Sequence, residues 1–249
     1  MRRFFLTAAQ FQAGQTVDLS PEVIKHALNV LRLAPGAEIE LLDGRGTIAR
    51  CRLRQLQAKT GKAEVLALRN VPPPPLRVEL IQGTAKGDKL DLVLQKGTEL
   101  GVNHFIICPT ERSIGRFKQD RLPAKSERWQ RIVQEAARQC GQSYLPTLTI
   151  TKSLSDALSV CSGDQRLVLW EEAEVPLPNL LAEQKPAAIS LLVGPEGGLT
   201  KDEVTLAHSS GFNNVRLGPR ILRTETAGLA IVSILQYLYG DLASADRGV

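Results

Sequence analysis

LLVGPEGGLTKDE (residues 191–203) and LGPRILRTETAGLA (residues 217–230) decide how this chain is read. Each leaves an apolar run, turns on Gly-Pro and enters a helix-start signal. Thr200 and Glu203 stand at capping-box spacing, and Thr224 is placed to cap a second helix. In open α/β sheets ligands bind at such places, outside the carboxyl ends of strands. Gly194, Gly197 and Gly198 let backbone approach a ligand closely. The G-x-x-G-G spacing is neither a Walker loop, which needs Lys-Ser/Thr, nor the dinucleotide fingerprint G-x-G-x-x-G. Two readings of this turn stay open: an ordinary tight strand–helix connection, or a main-chain-lined slot for a flat ring. The second segment repeats the pattern and adds Arg220, Arg223 and Glu225 beside it, which weights the pair toward a binding pocket.

Outward from these segments the chain alternates. Strands are expected at 77–83, 104–108, 166–170, 189–193 and 215–217, with helices from Asp88 to about Leu100, Lys125 to Cys140, Ser153 onward, Thr200 onward and Thr224 to about Tyr239. Trp129, Ile132, Val133, Ala136 and Cys140 share the apolar face of the long helix. Strands alternating with helices predict a parallel sheet covered on both faces. The last helix, AGLAIVSILQYLY, is apolar nearly all round, so it is either deep core or a contact between two copies of the chain.

Residues 71–75 read VPPPP, a stiff spacer that neither a helix nor a central strand continues through. It divides the chain into modules at 1–72 and 73–249. The first reads mostly as strands, with a hairpin at Asp43-Gly44 and one helix over Pro21–Leu31 capped by Ser20, which suits a small β-barrel. It carries eleven Lys/Arg against six Asp/Glu, so the whole net charge of +5 lies there. A basic module joined to a neutral one points to a polyanionic partner, or to a solvated basic face.

With 43% apolar residues the chain can bury a core, and with only 4% aromatics that core is aliphatic. No apolar stretch is long enough to span a membrane. MRRFFLTAAQ is too short for a signal-peptide core, so a cytoplasmic protein is expected. Cys51, Cys108, Cys140 and Cys161 are far apart, and His26, His104 and His208 are isolated, so no metal site is expected.

Taken with KGDKLDLVLQKGTELGV (86–102), RRFF (2–5), His26 with VLR (30–32), the DGRG turn and EAARQCGQ (135–142), the two Gly-Pro segments resemble the bacterial 16S rRNA uridine N3-methyltransferase (RsmE) family of the SPOUT superfamily. The similarity covers nearly the whole chain. It implies a PUA-like RNA-binding β-barrel followed by an α/β SPOUT domain whose C-terminal part forms a trefoil knot, a rare exception to unthreaded chains. It implies S-adenosyl-L-methionine held by Leu192, Val193, Gly194, Pro195, Glu196, Gly197, Gly198, Leu217, Gly218, Ile221, Leu222, Arg223 and Thr224. It further implies a homodimer that methylates N3 of a uridine in the decoding region of 16S rRNA, within the small ribosomal subunit. RNA contacts are expected from Arg2, Arg3, His26, Arg32, Arg112, Arg116 and Arg138, with Lys118, Arg121, Lys125, Arg128 and Arg131 continuing the basic run. Where family members often read EQCGR, this chain has Arg138-Gln-Cys-Gly-Gln142, which moves the basic group one helical turn earlier.

Uridine N3 carries a proton and becomes a nucleophile as that proton leaves. Arg223 is expected to stabilise charge on a uracil oxygen, with Glu225 or Glu135 taking the proton. Two other functions stay open at this level: an rRNA-binding assembly factor that no longer transfers methyl groups, and a ribose 2′-O-methyltransferase.

Overall fold

The computed structural model describes residues 2–7, 9–113, 122–181 and 184–244, which form two compact units. The first takes the chain to Pro73 together with Ala137–Leu145, and the second takes Pro74–Ala136 and the chain from Pro146 onward. The unit boundary falls inside the proline run, while 137–145, read from sequence with the second module, counts with the first.

In the first unit β1 (Arg2–Phe5), β2 (Thr16–Asp18), β3 (Glu38–Leu42), β4 (Thr47–Leu56) and β5 (Gly61–Asn70) pair in the order β1-β3-β4-β5-β2. Only β1–β3 is parallel. Among the described residues no ladder joins β1 to β2, so the expected barrel is an open five-stranded sheet in its hydrogen bonding. The β3–β4 turn forms because the Asp43 carboxylate accepts the backbone N–H of Arg45 (2.7 Å) and of Thr47 (2.9 Å). Gly44 and Gly46 supply its left-handed φ values of 77° and 102°. Alternating Ile39, Leu41, Cys51, Leu53, Ala63 and Val65 face Val23, Ile24 and Ala27 in one core.

The helix expected over 21–31 is regular only through α1 (Pro21–Lys25), whose Ser20 cap accepts the Val23 N–H. It then widens into a π turn over His26–Val30, closed by Leu31 N–H to the His26 carbonyl at 3.0 Å. Arg32 follows with φ 50°, the sole non-glycine residue at positive φ among the described residues.

The second unit is a six-stranded sheet, wholly parallel, in the order β11-β9-β10-β6-β7-β8. Its strands are β6 (Arg77–Gly83), β7 (Val102–Cys108), β8 (Thr147–Ile150), β9 (Gln165–Leu169), β10 (Ala188–Val193) and β11 (Asn213–Val215). The central pair β6 and β10 is buried on both faces, which is why AISLLV reads as an unbroken apolar run. On one face Ile81, Ile106, Val168 and Leu192 pack with α4 (Leu154–Val160) and α5 (Lys201–Ser209). On the other lie α2 (Lys89–Glu99) and α6 (Thr224–Leu238), packed on each other. α3 (Leu122–Cys140) completes the elements, burying Trp129, Val133 and Ala136.

Four local expectations shift. Asp88 precedes α2 but makes no side-chain cap bond. The last strand is 213–215 rather than 215–217, because Arg216 instead bridges Pro176 and frees Leu217 for the following loop. Arg223, not Thr224, holds the cap position of α6, since the Thr224 hydroxyl is used elsewhere. Cys140 is exposed at the end of α3 rather than on its apolar face.

Candidate active site

Both Gly-Pro segments leave the carboxyl end of the parallel sheet, one from β10 and one from β11. They meet around a single cavity of about 470 Å³. Val193, Gly194, Pro195, Glu196, Gly197 and Gly198 line one side, and Leu217, Gly218, Ile221, Leu222, Arg223 and Thr224 the other. Of the residues expected to hold a cofactor, only Leu192 lies elsewhere, fully buried in β10.

Close backbone approach builds the cavity. A Cβ on Gly83, where β6 ends, would sit 2.8 Å from the Pro195 nitrogen, so the strand end and the loop touch main chain to main chain. Gly198 takes φ 71°, against the Glu171 carboxylate. The Thr200–Glu203 capping box is complete, fixing the start of α5 directly after the loop. Behind the cavity, the wholly buried Gln82 amide donates to the carbonyls of Gly83 (3.0 Å) and Gly194 (3.2 Å) and to the Thr224 hydroxyl (2.9 Å). Thr224 donates in turn to the Gly194 carbonyl. These bonds join β6, the first loop and α6.

Three charged groups cluster beside the cavity. The Lys89 ammonium lies 3.1 Å from Glu196 Oε1 and 3.9 Å from Glu225 Oε2. Burial pushes the Glu196 carboxyl up, but its own backbone N–H, that of Lys86 and the Lys89 ammonium outweigh this and hold it below its usual range. Arg216, Arg220 and Arg223 are exposed at the outer edge of the cavity. Glu225 does not line the cavity but contacts Lys89, which does, and Glu135 is exposed on α3 and does not line it. Lys89, Leu169, Trp170 and Glu171 line it without having been singled out from the sequence. The signal for Trp170 and Glu171 is their position, immediately past the carboxyl end of β9.

The RNA-contact candidates divide. Arg2 and Arg32 are exposed, whereas Arg3 is held by Glu40 at 2.7 Å and by the Gly141 carbonyl at 3.3 Å. His26 packs edge-on to Phe4. Arg112 donates to the Gly197 carbonyl, Arg138 is half-buried, and Arg128 and Arg131 pair with Asp91 and Glu127. Arg116, Lys118 and Arg121 lie outside the described residues. Among the described residues no group of His, Cys, Asp and Glu is placed to hold a metal, and no helix is long and apolar enough to cross a membrane. Burial pushes the thiols of Cys51 and Cys108 up to about 11 and about 12, which makes them inert rather than nucleophilic.

A glycine-lined cavity at the carboxyl ends of parallel strands defines an α/β protein with a small-molecule site, joined to a basic module. Family models place an RNA methyltransferase domain over residues 72–236 and an RNA methyltransferase PUA domain over residues 19–66. The chain is 34% identical over 247 residues to the ribosomal RNA small subunit methyltransferase E of Bacillus subtilis, covering 95% of this chain and 96% of that one. A crystal structure of the Neisseria gonorrhoeae ribosomal RNA small subunit methyltransferase E bound to S-adenosyl methionine superposes with a TM-score of 0.87 at 37% identity, covering 97% of this chain and 99% of that one. A Legionella pneumophila structure with the cofactor SAM bound gives 0.88 at 30%, covering 96% and 98%. The chain belongs to the ribosomal RNA small subunit methyltransferase E family.

Proposed function

We propose that this protein transfers a methyl group from S-adenosyl-L-methionine to N3 of a uridine in 16S rRNA, within the small ribosomal subunit. The observation that carries this reading is the meeting of both Gly-Pro loops around one cavity. Its volume lies in the range of small-molecule sites. Its walls are apolar at Leu169, Val193, Leu199, Leu217 and Ala227, and glycine backbone at 194, 197, 198 and 218 leaves main-chain groups free of side chains. That combination fits an adenosyl group. When bound, S-adenosylmethionine supplies an electrophilic methyl group. The same reading takes the crossing loops as a trefoil knot and the protein as cytoplasmic.

The chain's own residues then do two things. The loops orient the donor against the acceptor base, which is the main source of rate in an in-line displacement. Arg223, exposed at the cavity with no side-chain partner among the described residues, donates to a uracil oxygen as negative charge develops. We take Glu225, which follows the cavity-lining Thr224, as the proton acceptor ahead of Glu135, which lies away from the cavity lining. The first unit, with exposed Arg2 and Arg32, binds RNA phosphates. Exposed Ile234, Tyr237 and Leu238 on α6 support a homodimer.

The test is methylation of small subunits from a strain lacking the enzyme, with the modified atom mapped by mass spectrometry. A methyl group on N3 of a single uridine supports the proposal. A ribose methyl group, or none with tight subunit binding, replaces it with the 2′-O-methyltransferase or the assembly-factor reading.

A further inference from the structure

Building on the reading of the cavity as the seat of S-adenosylmethionine, we infer that Lys89, Glu196 and Glu225 sense the sulfonium charge, so that the site holds the methyl donor in preference to its demethylated product, S-adenosylhomocysteine. One ammonium faces two carboxylates, at 3.1 Å and 3.9 Å, leaving a net charge of about −1 in the cluster. Among the described residues, the second oxygen of Glu196 is buried without a hydrogen-bond donor, and so is Oε2 of Glu225. Glu196 is well served by backbone N–H groups and by Lys89, so the weakly paired charge is the half-buried Glu225, 3.9 Å from the ammonium, and such a charge favours a further cation nearby.

The placement of the groups argues against a purely structural ion cluster. Lys89 is the first residue of α2, where a cation opposes the helix dipole and weakens the helix. Glu225 stands in the first turn of α6, where the dipole favours an anion. The lysine therefore answers to the carboxylates, not to its helix, and it covers only one of their two charges. The opposing charges at the cavity, Arg216, Arg220 and Arg223, are exposed and screened by solvent, and Glu171 is exposed as well. The cavity is thus polarised, with the half-buried acidic cluster of Glu196 and Glu225 on one side and exposed arginines on the other.

The donor and its product share the adenosyl and amino-acid parts. They differ by a methyl group and by one positive charge, because loss of the methyl turns a sulfonium into a neutral thioether. A unit charge about 10 Å from another, at an effective dielectric near 20, changes a binding constant by roughly tenfold. The cluster acts through the field and needs no direct contact with the sulfur. Its effect is to bias exchange, keeping the charged donor and easing departure of the neutral product.

The experiment is calorimetric titration of the full chain with S-adenosylmethionine and with S-adenosylhomocysteine, at neutral pH, for the wild type, Glu225→Gln and Lys89→Met. The wild type is expected to favour the donor. Glu225→Gln should cut that preference by about tenfold, with the loss confined to the donor. Lys89→Met, which uncovers the second carboxylate, should raise the preference by a similar factor. Opposite shifts in the two variants support charge sensing, because a cluster that merely shapes the loops would weaken both ligands together in both variants. Parallel losses, or a ratio unchanged by either substitution, overturn the inference and leave the donor reading intact. A wild type that binds neither ligand overturns the donor reading, and this inference with it.

Discussion

Thr224 donates its hydroxyl proton to the carbonyl oxygen of Gly194 at 2.6 Å, tying the start of the last helix to the end of the central strand. Both groups are buried, and the Gln82 amide bonds to each of them. The Thr224 hydroxyl therefore links the two cavity-lining loops directly, alongside the Gln82 amide.

Thr224→Val keeps the shape and removes that hydroxyl. Gly194 loses one donor, and the Gln82 N–H loses one acceptor at a buried position. Stability should fall by about 1–3 kcal/mol, read from urea unfolding midpoints. Affinity for S-adenosylmethionine should fall as well, while Thr224→Ser should restore both. An unaltered midpoint in the valine variant would remove the hydroxyl from the account of how the loops are held.

Arg223→Ala acts in the opposite way. The side chain is exposed and makes no bond to another side chain among the described residues. Its loss should leave stability within about 0.5 kcal/mol of wild type. Donor affinity should change little, while the methyl-transfer rate should fall by about 10²–10³ if the guanidinium meets charge that develops in the transition state. Equal losses in rate and donor affinity would place Arg223 in binding instead.

The sequence made the two loops legible because their signals are local: Gly-Pro turns, a capping box and apolar runs of strand length. The parallel sheet followed from the alternation of those runs with helices. Lys89 was not legible as part of the cavity, since only the packing of α2 against α6 brings it to Glu196 and Glu225. The shift of the α6 cap from Thr224 to Arg223 has the same origin. A threonine before an apolar helix reads as a cap, but a distant carbonyl, Gly194, claims its hydroxyl. The π turn after Lys25 carries no local signature either, because the same residues also suit a regular helix. Ladder closure of the first unit could not be read from strand alternation alone, which fixes faces and not partners.

Acid should weaken the fold through the far end of the sheet. The buried Glu79 carboxylate accepts from the Ser190 hydroxyl (2.6 Å) and from the Ser162 N–H and hydroxyl (2.8 Å each). Burial raises its proton affinity, yet these bonds and nearby His104 outweigh that and leave it below its usual range. Burial, set against the charge of Glu79, lowers His104. In both cases the unfolded chain binds protons more readily, so stability rises with pH across each window. It is complete above the ordinary histidine range, declines first as His104 is driven to protonate, and declines again below the ordinary carboxylate range as Glu79 does. Glu79→Gln should flatten the second decline and cost about 1–3 kcal/mol at neutral pH. Urea midpoints measured from pH about 2 to about 8 test both arms, and a second decline of equal size in the glutamine variant would assign it to other carboxylates.

Arg3 and Arg32, both RNA-contact candidates, should separate cleanly. Arg3 is engaged by Glu40 and the Gly141 carbonyl, with both side chains of the ion pair mostly covered. Arg3→Ala leaves Glu40 without its cation and should lower stability by about 1–3 kcal/mol. Arg32 is exposed and held at φ 50° directly after the π turn, a conformation that a side chain disfavours and glycine accepts. Arg32→Gly relieves that strain while loosening the unfolded chain, so stability should stay level or rise by up to about 1 kcal/mol. If Arg32 meets a phosphate, the same variant should bind small subunits more weakly, and the slope of log affinity against log salt should become shallower by about one. A strained residue whose removal leaves the fold no worse and binding weaker is retained for its contact. Unchanged binding and salt slope in Arg32→Gly would instead make the left-handed arginine a feature of the turn alone.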